Sequence, residues 1–318
     1  MHLARVLILA PLFALSALVR AEIAVVLNSA DQTVSLVDTV AYKELSRIPV
    51  GKEPHHLMAT PDDKQLIVAN AVSNELIFLD PVTGQITSRL KNISDPYQIG
   101  FSPDKKWFVS NSLRLDRVDI YRGEDFALVK RLPAPKTPSH LAFDKASQFV
   151  FVTLQESNEV IAIDLAKQDI VWTLPVGKQP AGIWMTPDDK HLLVAMTGDD
   201  YVKAYDWRAR TSVKKLKTGK GAHNFQARGD GRHVFLSNRM ANTISVIDQQ
   251  TLAVVDTIDA PGGPDDMEVT RDGKQLWYTG RFSRKLWVID LETKKVAQSI
   301  PVGRSPHGVY FHTHAPRQ

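Results

Sequence analysis

The 318-residue chain carries 39 Lys and Arg against 35 Asp and Glu, a formal charge of +4, and no cysteine. The absence of cysteine excludes a disulfide framework, a CxxCH haem attachment, an iron–sulfur cluster held by thiolates and a thiol nucleophile. So small a charge excess gives no reason to expect a nucleic-acid partner.

The chain opens like a secretory signal peptide. His2 and Arg5 make a basic start, Val6 to Val19 is almost wholly apolar, and Val19-Arg20-Ala21 fits a cleavage site. The apolar run is short for a membrane span and no second candidate follows. Residues 1–21 are therefore read as a signal peptide and 22–318 as one mature domain, a soluble monomer in a bacterial periplasm. Removing Arg5 and Arg20 leaves 37 of the 39 basic residues against the 35 acidic ones.

From residue 22 the sequence repeats. Ile48-Pro49-Val50-Gly51-Lys52-Glu53-Pro54 returns at Leu174 to Pro180 and again at Ile300 to Pro306. Apolar runs end at Asp38, Asp80, Tyr121, Asp164, Asp206, Asp248 and Asp290, close to 42 residues apart. A period near 40 signals a propeller or solenoid. The runs are short, rich in Val, Ile and Thr, and alternate as half-buried strands do; Thr243-Ile244-Ser245-Val246-Ile247 is the clearest. Four such runs per unit make one propeller blade.

Ile67-Val68-Ala69-Asn70, Phe108-Val109-Ser110-Asn111 and Phe235-Leu236-Ser237-Asn238 stand where YVTN-type repeats carry their signature strand. The chain resembles the YncE-like periplasmic propellers over residues 22–312. The resemblance implies an all-β, seven-bladed β-propeller with four antiparallel strands per blade. The strand after Pro54 is innermost, followed outward by 65–70, 75–80 and 86–90. Residues 22–28, 33–38 and 44–48 supply three strands of the last blade, and 307–312 its innermost one. More distantly the chain is similar to the d-type haem domains of nitrite reductases, which have eight blades.

Most repeated residues read as structural. Gly51, Gly177 and Gly303 turn the outer strand back toward the axis, where glycine permits positive φ. Pro54, Pro96, Pro138, Pro180, Pro264 and Pro306 open inner strands, and proline is tolerated at a strand's first residue. The Asp ending the third strand accepts from backbone amides of the next turn. Lys203, Arg208, Arg210, Lys214, Lys215, Lys217 and Lys220, interleaved with Tyr205 and Trp207, read as a solvated outer strand pair.

The chemistry sits just after the inner prolines. With Gly221 aligned to the proline of blade 5, His56, His140 and His223 share one register with Gln98 and Asp266. His55, Tyr97, Asp265 and His307 stand one residue earlier. All should face one end of the channel, and Arg114, Arg239 and Arg281 on neighbouring loops could meet an anionic ligand. Neutral imidazole is a common metal ligand and an acid–base group near neutral pH. His56, His140 and His223 with a carboxylate or water would suit a divalent transition metal; a single imidazole could ligate haem.

Three functions are compatible with this pattern. One is a binding or accessory protein holding a metal, a haem-like cofactor or a small anion in a histidine-lined funnel. Another is a metal-dependent lyase, lactonase or hydrolase using the same histidines. The third is a protein-interaction scaffold with its partner at the channel mouth.

Overall fold

The computed structural model describes residues 22–317; the signal peptide read at residues 1–21 lies outside them. Twenty-eight strands form seven four-stranded antiparallel sheets. Blades 1 to 6 span 54–91, 98–133, 138–175, 180–217, 222–259 and 264–301. Within each, the chain steps from the axis outward. The seventh blade pairs Pro306–Tyr310, Ile23–Asn28, Thr33–Asp38 and Lys43–Pro49 in that order. Its inner strand thus comes from the other end of the sequence and closes the ring, which leaves no long unpaired edge between blades.

Strand alternation explains the packing. In Ile23–Asn28 every residue is buried, because the strand is covered on both faces by neighbouring blades. Seven apolar clusters result, one in each crevice between adjacent blades. Each inner strand also packs on the inner strands of both neighbours, so the seven together wall the channel.

The observed register is stricter than the sequence markers imply. Trp107 pairs with Arg122 just as Phe149 pairs with Asp164, so Arg122, not Tyr121, ends the third strand of blade 2. Asp38, Asp80, Asp164, Asp206, Asp248 and Asp290 each accept from two backbone amides of the following turn. In blade 2 that acceptor is replaced by Asp125, which takes the Ala127 amide at 3.0 Å and the Arg122 guanidinium.

Blade 5 is corrected in the same way. Ala222 pairs with Asn238 as Pro180 pairs with Met196, so Ala222, not Gly221, occupies the proline position. His223 therefore belongs to the register of His55, Tyr97, Asp265 and His307, and Asn224 joins His56, Gln98, His140 and Asp266.

The glycines divide. Gly51 has φ +138°, as expected. Gly303 does not need positive φ; a Cβ there would come within 2.4 Å of the Asn28 side chain. Asn28 accepts from the Gly303 amide at 2.9 Å and donates to Ser35 at 2.8 Å, tying the two ends of the sequence together inside the closing blade. Among the described residues no helix is long and apolar enough to cross a membrane.

Deleting residues 303–318 removes the inner strand of the closing blade and should abolish the cooperative thermal transition seen by circular dichroism. Asn28→Ala, which orphans a buried amide and hydroxyl, should cost about 2 kcal/mol in denaturant unfolding. A truncated chain that melts like the full one would contradict closure by this strand.

Candidate functional site

The two inner-strand registers build two tiers at one end of the channel. Prolines fix the strand starts, and the loops joining second to third strands cover them. In the upper tier the rings run nearly edge to edge around the axis. His307 of blade 7 lies 4.0 Å from His55 of blade 1, centroid to centroid, and His55 stacks on Tyr97 of blade 2 at 3.7 Å. Tyr97 meets His140 of blade 3 edge-on at 6.5 Å, and His140 meets His223 of blade 5 at 5.0 Å. Blade 4 contributes only Ala181 and Gly182; a Cβ on Gly182 would lie 2.0 Å from the His223 carbonyl oxygen. His140 reaches these neighbours from the second register, with its Nδ1 2.7 Å from the Ser139 hydroxyl.

Asp265 of blade 6 completes the circle. It is fully buried. One oxygen, Oδ1, accepts from Arg239 Nε at 2.8 Å and again from Nη2, with His223 Nδ1 3.4 Å away. The other, Oδ2, faces His307 Nε2 at 3.9 Å and Arg281 Nε at 3.8 Å. Asp266, one residue on, lies 3.4 Å from His307 Nδ1 and accepts from Asn224 Nδ2. Donor atoms of Asp265, Asp266 and His307 all lie within 4.8 Å of one another.

The histidines named as a possible metal trio are thus divided. His140 and His223 touch in the upper tier, whereas His56 lines a chamber of about 280 Å³ below it, with Gln98, Asn224, Asp266 and Glu268. The arginines are engaged by carboxylates. Arg239 and Arg281 flank Asp265, and Arg114 bridges Glu53 at 2.8 Å and Asp95 at 2.6 Å on the rim. The expected open funnel is closed: His55, His140, His223 and His307 are 5%, 4%, 2% and 3% exposed. The Lys203 to Lys217 cluster lies on the outer strands of blade 4, where Lys215 sits over Tyr201 and Arg208 over Trp207.

Burial sets the electrostatics. It pushes the His55 imidazole well below its ordinary range, helped by the charge of His307, and does the same to His223, helped by Arg239. Burial lowers His56 to about 4 and His140 to about 3. These rings are neutral at pH 7, with lone pairs available. Burial alone would raise the Asp266 carboxyl, but His307 beside it prevails and brings it down to about 2.

Several buried atoms here have no hydrogen-bond partner: His223 Nδ1, Asp265 Oδ2, His56 Nδ1 and both ring nitrogens of His307. Each such orphan costs about 1–3 kcal/mol. Sequence reasoning missed Asn224, Glu268 and Arg317. Asn224 becomes visible once blade 5 is aligned on Ala222, and Glu268 follows Pro264 two positions beyond Asp266 on the same inner strand. Arg317 reaches Glu268 from the C-terminal segment, which no period announces.

Together these features define a seven-bladed propeller with a buried acid–imidazole cluster at one end of its channel. The profile of the YNCE-like beta-propeller family matches residues 4–317. The chain belongs to that family. No curated protein sequence is similar enough to serve as a relative. Among solved structures, the fold is similar to a functionally unknown protein from Desulfotomaculum acetoxidans, with TM-score 0.79, 16% identity, and coverage of 93% of this chain and 100% of that one. It is also similar to the dihydro-heme d1 dehydrogenase NirN in complex with DHE, with TM-score 0.68, 15% identity, and coverage of 91% and 75%. Hydrazine synthase of Kuenenia stuttgartiensis matches with TM-score 0.68, 16% identity, and coverage of 80% and 88%.

The neutral imidazoles make stability pH-dependent. His56 and His140 regain an ordinary pKa on unfolding, so the unfolded chain binds more protons as pH falls below 6.5. Stability should be complete above that pH and decline toward pH 4, by about 3 kcal/mol for His56 alone. Urea melts of metal-free His56→Gln between pH 7 and 4 should show a flatter profile than the native chain.

Proposed function

We propose that this protein is an exported ligand-binding or accessory propeller whose upper tier holds one divalent transition-metal ion. The observation that carries this reading is the convergence of unpartnered buried donors. Asp265 Oδ2 and the His307 ring nitrogens lack hydrogen bonds, and with Asp266 they form a compact donor set. Two carboxylates and an imidazole match nickel, cobalt or zinc better than a soft thiolate-preferring ion. His223 and His55 stand beside the set as further ligands or as groups that orient it. Arg239 offsets part of the acidic charge by binding the Asp265 oxygen that faces away from His307.

A haem-type ligand, as the name dihydro-heme d1 dehydrogenase implies for NirN, does not fit the residues here. The upper-tier rings touch one another, and His55, His140, His223 and His307 are too buried to present a nitrogen to a plate-shaped group at the mouth. A protein-interaction role is the second reading. Val72, Leu115, Met240 and Phe282 project from the loops around the same mouth and are 44%, 47%, 67% and 64% exposed, an apolar rim that suits a protein partner. Export rests on the leader-like sequence of residues 1–21.

Chelator-stripped protein titrated with Zn²⁺ or Ni²⁺ in a calorimeter should bind one ion with a rise in Tm. His307→Ala and Asp266→Asn should each weaken binding by about 100-fold, a loss of roughly 2.7 kcal/mol. His191→Ala, on the opposite face, should leave it unchanged. Equal affinity in the native chain and in His307→Ala would defeat the assignment.

A further inference from the structure

The opposite end of the channel carries a second cavity with different chemistry. Its volume is about 370 Å³, within the range of small-molecule sites, which is about 300–1,000 Å³. Leu141 and Phe143 of blade 3 and Trp184 and Met185 of blade 4 form its apolar wall. The indole of Trp184 is fixed in place, since its Nε1 donates to Gln249 at 2.7 Å. The wall is therefore a preformed flat platform.

Among the described residues, the charged ones lining the cavity are both cations, Lys145 and Arg317. Arg317 is anchored from behind by an ion pair with buried Glu268 and lies 5.2 Å over the Tyr310 ring. Its side chain is still 37% exposed, so a guanidinium edge remains open to the cavity. Lys145 stands on a loop pinned by its own amide to Asp189. Further in, the chamber bears Asp266 and Glu268. An anionic headgroup is thus attracted at the rim and repelled from the interior, which fixes the direction in which a ligand lies.

We propose that this lower mouth is a binding site for an amphipathic organic monoanion, an aromatic or branched aliphatic carboxylate or sulfonate. The apolar body packs on Trp184 and Phe143, and the headgroup pairs with Arg317 and Lys145. The groups that would touch the ligand, Trp184, Phe143, Arg317 and Lys145, are distinct from the metal donors Asp265, Asp266 and His307.

The probe is 8-anilinonaphthalene-1-sulfonate, with N-phenyl-1-naphthylamine as its uncharged counterpart. The sulfonate should bind saturably with one-to-one stoichiometry and quench tryptophan emission. The uncharged probe should bind about ten-fold or more weakly, the scale of a charge-assisted contact. Arg317→Ala and Lys145→Glu should each weaken the sulfonate about ten-fold, and His307→Ala should not change it. Lys145 is exposed and supports no core contact, so its variant remains interpretable if Arg317→Ala destabilises the chain. Absence of saturable binding, equal affinity for both probes, or full affinity in a Lys145→Glu variant that melts like the native chain would overturn the proposal.

Discussion

The antiparallel pairing of Pro306–Tyr310 with Ile23–Asn28 is the contact on which both the ring and its site depend. Seven blades only enclose a channel once the last sheet borrows a strand from the far end of the sequence. That borrowed strand carries His307, whose ring nitrogens face the carboxylates of Asp265 and Asp266. The residues that must pair for the fold to close are therefore the residues that bring the candidate ligands together. A contact between His307 and His55, remote in sequence, has no existence in an open array. The loop-closure entropy of so distant a pairing is offset by the apolar crevices on both sides of blade 7.

Burying so many ionisable groups sets strict terms. A carboxylate removed from water is tolerated only if charge and hydrogen bonds replace the solvent. Asp265 meets this through Arg239, with Arg281 nearby, and Asp119 meets it elsewhere through Arg117 and Arg131. Both carboxylates leave an oxygen without a hydrogen bond, Asp119 Oδ1 and Asp265 Oδ2, and the two differ in what surrounds it. Around Asp265 the unsatisfied atoms converge on one point from three blades. Such convergence is a property of the assembled channel and not of any single strand.

The fold could be read from the sequence because a propeller writes its period openly. Prolines at 54, 96, 138, 180, 264 and 306 and the turn aspartates gave blade number, strand order and closure. The site was less readable at the two blades where a marker is lost. Blade 2 has Arg122 in place of the turn aspartate, and blade 5 has Ala222 in place of proline. Each loss permits a one-residue slip, and a one-residue slip in a strand changes which side chains share a face. The slip placed His223 with His56 and His140, whereas it belongs with His55 and His307. Pairings between blades, such as Arg239 with Asp265 or Arg317 with Glu268, join residues that no repeat relates. They depend on side-chain reach in three dimensions.

With the register at 42 residues, one circle around the axis is spelled by His55, Tyr97, Ser139, Ala181, His223, Asp265 and His307. The backbone beneath these positions is nearly the same in every blade, so the scaffold does not distinguish one from another. What distinguishes this protein from another of its architecture is a cyclic order of seven side chains. A cyclic order has no first letter. The gene could be reopened at a different blade boundary, with its present ends joined, and the channel would present the same groups in the same sequence to whatever enters it.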